Sequence, residues 1–190
     1  MTNEKSDLLK ITVLFVATQS ILICTLFLSG QPSYARSVLS VTFLWTLYTF
    51  LEARYGFFMN TYIRTMVILS LLADSFGGSF LNLYVTSCVF DKVLHVFGSY
   101  SFALFFYILV VQLLTGPVNR PFTFILIASL GLSMGGFYEI LEFLTDTFSH
   151  PDPISQPSLL DTDLDLTADL IGSLLAAFHG TYTTFLNRHF

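Results

Sequence analysis

Two short stretches carry most of the chemistry open to this sequence. The first, Gly135-Gly136-Phe137-Tyr138-Glu139-Ile140-Leu141-Glu142, sets two carboxylates near the end of a long apolar segment. The second, Asp161-Thr162-Asp163-Leu164-Asp165-Leu166-Thr167-Ala168-Asp169, sets four at the start of the next. Residues three or four apart share a helix face. Glu139 and Glu142 therefore pair at i, i+3, and Asp91 and His95 pair at i, i+4. Asp161, Asp165 and Asp169 form one stripe, which Gly172, Ala176 and Gly180 continue. Those small residues let a neighbouring helix come close.

Carboxylates brought face to face must share protons, meet cations or bridge a metal ion. Glu139 and Asp165 suit a general base or a metal ligand, and His95 suits an acid or a ligand. As a metal site, Asp91, His95, Glu139, Glu142, Asp161 and Asp165 would offer mostly carboxylate oxygen with one imidazole. Such a set suits a divalent cation: Mg, Mn or Ca by its oxygens, Zn by its histidine. Three readings stay open. The acids form a hydrogen-bond network closed by Lys92, Tyr138 and Asn82, or they hold a cation, or they do acid–base chemistry without a stable metal. A lone histidine beside a carboxylate is more often hydrogen-bonded than metallated. His150 and His189 read as loop and tail residues, and His179 as a residue facing the interface. No glycine-rich phosphate loop, nucleophile elbow or HExxH motif is present.

The elements that must position these groups are hydrocarbon. Of 190 residues, 54% are hydrophobic and 11% charged, against about 25% charged in a soluble domain. Mean hydropathy is +0.71. A spanning helix needs about 20 mostly apolar residues. Six segments qualify, at roughly 9–28, 36–51, 63–87, 91–114, 122–145 and 164–186, and all six prolines fall between them. The expectation is an all-α, polytopic integral membrane protein of the cell (inner) membrane, with residues 1–190 as one membrane-embedded domain. The apolar core of the first segment is too long for a signal peptide and no small-x-small site follows it, so it reads as a retained helix. Asp74 lies mid-segment in the third, with Gly77-Gly78 beyond it permitting close packing or a break. Cys24 and Cys88 read as small buried hydrophobes.

Six spans put both termini on one side. Lys5, Lys10, Arg54, Arg64, Arg120 and Arg188 then share that side, against Arg36 and Lys92 on the other, so the positive-inside rule makes both termini cytoplasmic. Asp91, Glu139, Glu142, Asp146, Asp152, Asp161, Asp163, Asp165 and Asp169 gather at or near the outer face. The net charge of −5 and the lack of any Lys/Arg run exclude a nucleic-acid partner.

At these residues the chain resembles the YjdF-type family of bacterial inner-membrane proteins, whose motif order is similar to that of the VanZ-like proteins. The resemblance rests on Asp91, Lys92, His95 and Gly98; on Tyr138, Glu139 and Glu142; and on Asp161, Thr162, Asp165 and Gly172, with Gly77-Gly78 before them. It covers roughly residues 74–177. Two departures matter: Ser158 stands where the family usually has an acid, and the segment before it is proline-rich. The resemblance implies no reaction.

The expected function is an outward-facing acidic and histidine centre that binds or acts on a lipid-linked or cell-envelope substrate. The alternative is a structural or partner-binding membrane protein whose acids serve helix assembly. A proton- or cation-coupled transporter needs polar groups along a whole path. The cytoplasmic half offers only Asp74 and Glu52 for that.

Overall fold

The computed structural model describes residues 2–116, 118–151, 154–183 and 185. Pro117, Asp152, Pro153, Arg188 and His189 lie outside the described residues. Among those described there are helices and no strands: α1 (Thr2–Leu28), α2 (Pro32–Tyr55), α3 (Thr61–Leu72), a π-helical segment (Ala73–Phe80), α4 (Leu83–Thr86), α5 (Phe90–Gln112), α6 (Arg120–Ser149) and α7 (Leu159–Tyr182). Four stretches are long and apolar enough to cross a membrane: Leu8–Leu28, Thr61–Phe80, Phe90–Gln112 and Arg120–Ser149.

The chain forms two compact units, Met1–Phe57 with Leu71–Leu83, and Phe58–Ser70 with Tyr84–Phe190. In the first, α1 and α2 make an antiparallel hairpin. Leu22 and Leu26 pack on Ala35 and Val38, and Phe15 meets Trp45 edge-on at 6.3 Å. The turn between them needs a left-handed residue, supplied by Gly30 at φ 74°. Pro32 then opens α2, where its missing N–H costs nothing. The π segment packs on both helices, and Gln19 Nε2 donates to Ser75 Oγ at 3.0 Å inside this unit. The Gly77-Gly78 pair thus sits in a widened helical turn, not in a straight helix or an open break.

The second unit is built on α5, α6 and α7. Asn119 caps α6 by accepting the Phe122 N–H at 2.9 Å. Ser158 caps α7 by accepting the Asp161 N–H at 3.2 Å, so the residue that departs from the family pattern starts the acid-bearing helix. Helix α7 runs parallel to α5 and antiparallel to α6. Gly172 lies on the Val96 carbonyl of α5, and Gly135 and Gly131 of α6 lie on Asp169 and Ser173 of α7; a Cβ at any of the three would overlap its neighbour. This close approach brings one end of three helices onto a single point. Both cysteines, expected to be buried, are exposed. In an apolar span a thiol of this size can face lipid as readily as protein, which is why the expectation failed for Cys24.

Candidate functional site

His95 stands at the centre of the site. One turn into α5, it is 7% exposed. Its Nδ1 meets Asp169 Oδ1 at 3.2 Å, and Ser99 Oγ donates to the same oxygen. A carboxylate accepting at Nδ1 puts a proton on that nitrogen and turns Nε2 toward the other side of the ring. Nε2 faces three carboxylate oxygens, each 3.7 Å away: Asp91 Oδ1, Glu139 Oε1 and Asp165 Oδ1. The Tyr138 ring packs edge-on against the imidazole at 5.6 Å.

Each of these carboxylates is held from behind. Lys92 Nζ donates to Asp91 Oδ2 at 3.0 Å, Asp165 Oδ2 at 2.7 Å and Asp161 Oδ1 at 2.5 Å. Gln156 Nε2 donates to Glu139 Oε2 at 2.8 Å and to the Glu139 carbonyl at 2.9 Å. Gln156 is itself placed by Asp146, whose two oxygens accept the Ser155 and Gln156 N–H groups at 2.8 Å each. His95 Nε2, Glu139 Oε1, Asp165 Oδ1 and Asp169 Oδ2 are buried side-chain atoms with no hydrogen-bond partner. Two overlapping donor groups result, Asp91–His95–Asp165 and His95–Glu139–Asp169, with donor atoms within 4.8 Å of one another.

The structure thus brings together His95, Glu139, Asp165, Asp91 and Lys92, all named from the sequence. Asp161 is taken up by Lys92, and Glu142 is close enough to interact electrostatically with Glu139, Asp91 and His95 but belongs to neither donor group. Asp163 points outward, and its carbonyl accepts from Thr167 Oγ1. Asn82 and Asp74 belong to the other unit. His150 ends α6 in a left-handed conformation, while His179 is half-buried and its Nδ1 meets Tyr100 Oη at 2.5 Å. Two participants, Ser99 and Gln156, were not singled out from the sequence, and Asp169 was placed on the acid stripe without a role of its own. Spacing could have found Ser99, which is i+4 from His95. Gln156 comes from the proline-rich loop, where no periodicity points anywhere.

What fold and site define is a helical membrane protein with a buried cluster of ionisable groups. Residues 11–184 match the family described as predicted membrane protein (DUF2238), and the chain belongs to it. An uncharacterised protein of Thermotoga maritima is 36% identical over 109 residues, 57% of this chain and 56% of that protein. The match therefore covers just over half of that relative's length. No solved structure matches.

Proposed function

We propose that this is a six-span protein of the cell membrane with both termini cytoplasmic. Its α5–α6–α7 centre opens at the non-cytoplasmic face and binds or acts on the polar head of a lipid-linked or cell-envelope molecule. Helices α2 and α7 are not apolar enough to qualify as spans by composition alone. Each nevertheless has 24 residues, about 36 Å of helix. Helix α7 follows α5 from the Lys92–Asp161 pair to Gly180 beside Leu104, and α2 follows α1 from Ala35 to Trp45. A helix packed along a spanning neighbour over that length occupies the same depth. The resemblance in motif order to the YjdF-type family fits this reading.

One observation carries it: His95, Asp165 and Asp169 are buried in the first three turns of α5 and α7, and the buried Glu139 of the antiparallel α6 joins them at that end of the three-helix unit. A charged group there costs several kcal/mol less to hydrate than at mid-bilayer, and a ligand reaches it most directly from that membrane face. The second reading, acids as helix fasteners, is favoured by the three contacts of Lys92. Lipids retained by the protein in mild detergent separate the two. Wild type should carry a lipid class enriched over the bulk membrane. Glu139→Gln should lose it while keeping wild-type expression and melting temperature. Bulk composition in both proteins would leave the fastener reading standing.

A further inference from the structure

We infer that His95 Nε2, Asp165 Oδ1 and Asp91 Oδ1 are ligands of one divalent transition-metal ion. The inference deepens the functional reading by naming what the centre itself holds, and it rests on that reading only for the location of the site. The acidic cluster alone would not carry it. The unpartnered atoms do.

His95 and Asp165 are 7% and 1% exposed, and His95 Nε2 and Asp165 Oδ1, 3.7 Å apart, are both without a hydrogen-bond partner. Asp91 Oδ1 lies at the same distance from Nε2. With Nδ1 against Asp169, Nε2 is the nitrogen open to a ligand. A proton on Nε2 would bring charge attraction but no hydrogen bond, because 3.7 Å is beyond hydrogen-bond reach of each oxygen. A hydrogen-bond network would leave Nε2 and Asp165 Oδ1 unsatisfied, and a buried polar group without a partner is costly, a charged one more so. A metal ion beside them satisfies both and takes Asp91 Oδ1 from the rim as a further ligand.

The dimensions agree. Ligands about 2.1 Å from a tetrahedral zinc ion lie about 3.4 Å apart, so the Nε2–Asp91 and Nε2–Asp165 edges of 3.7 Å need only a small contraction, and the three donor atoms all lie within 4.8 Å of one another. The outer contacts also take the form that metal sites use. Asp169 holds the far nitrogen of the histidine, and Lys92 holds the far oxygens of Asp91 and Asp165. One imidazole with two carboxylates favours Zn²⁺ or Mn²⁺ over Ca²⁺ and Mg²⁺, which prefer oxygen ligands alone.

The test is metal content and rebinding on detergent-purified full-length protein. Wild type should hold close to one equivalent of zinc or manganese by elemental analysis. After chelation it should rebind ZnCl₂ or MnCl₂ in a calorimetric titration with a rise in melting temperature. His95→Ala and Asp91→Asn should each bind at least about 100-fold more weakly, and Asp169→Asn about 10–100-fold more weakly. Asp163→Asn, on the outward face of the same helix, should match wild type. Asp91 is partly exposed at the rim, so its variant answers the question even if His95→Ala does not fold. Folded wild type that neither contains nor rebinds either metal overturns the inference, as does equal binding by wild type and Asp91→Asn. Either failure leaves the lipid experiment untouched, and a bulk lipid profile leaves the metal result untouched.

Discussion

Lys92 faces Asp91, Asp161 and Asp165 at once, and its side chain is only 23% exposed. Removing it strands three carboxylates beside each other in a poorly hydrated place. Truncating one partner of such a desolvated group costs about 2–5 kcal/mol, mostly through the charges left behind. Lys92→Met should therefore lower the melting temperature in detergent far more than Lys92→Arg, which keeps the charge. Equal melting of the two would mean that the lysine is a solvated bystander. At this scale much of the centre was legible before any coordinates. Asp91, His95, Glu139 and Asp165 follow from helical spacing and from the cost of placing charge in apolar sequence. Which oxygen of each carboxylate points inward was not legible, because it depends on Lys92 and Gln156 reaching across from other segments. Asp169 fell outside the candidate set although it shares the Asp161–Asp165 stripe. Its role follows from the tautomer it imposes on His95, which no spacing encodes.

Elements meet here through small residues. Gly172 sits against the Val96 carbonyl and Gly135 against the Asp169 side chain, so the spacing of α7 from both neighbours is fixed by hydrogen atoms in place of side chains. The stripe of Gly172, Ala176 and Gly180 was readable as a close-packing seam, and all three are buried on α7. That the seam faces α5 and α6 together was not readable, since periodicity names a face and not its partner. Gly172→Val should push α7 off α5, because backbone cannot yield as a flexible side chain can. A loss of about 1–3 kcal/mol is expected for overpacking of this kind. Gly136→Ala is the matched control: it meets nothing within 4 Å and should melt with wild type. Circular dichroism melts of the two variants decide the point, and comparable losses in both would show that helix propensity, not packing, governs this region. The Gly77-Gly78 segment teaches a related lesson. Glycines in an apolar run signal an irregularity, but the choice of a π turn depends on packing against α1 and α2.

At the scale of the whole molecule the open quantity is how often the chain crosses the bilayer. Among the described residues composition identifies four stretches; α2, with Arg36, Glu52 and Arg54 among its threonines and serines, and α7, with its row of aspartates, are less apolar. Packing argues for six, since α2 and α7 each follow an apolar spanning helix within their own unit. The two counts place the connections differently, and exposed thiols can read them out. With six spans and a cytoplasmic N-terminus, the α1–α2 turn, the segment before α5 and the α6–α7 loop all face outward, while the α5–α6 connection faces inward. Cys88, exposed in the segment before α5, is a native reporter for one of these sites. Thr115, exposed in the α5–α6 connection, offers a reporter position for the opposite side. In a Cys24→Ser background, Cys88 should react with a membrane-impermeant maleimide on intact cells. With Cys88 also changed to Ser, Gly30→Cys and Ile154→Cys should react likewise, and Thr115→Cys only after permeabilisation. Labelling of Gly30→Cys and Thr115→Cys from the same side would remove α2 from the spans, and labelling of Thr115→Cys but not Gly30→Cys in intact cells would reverse the orientation. Protection of Ile154→Cys in intact cells would move the acidic centre to the cytoplasmic face, and with it the class of molecule that could reach it.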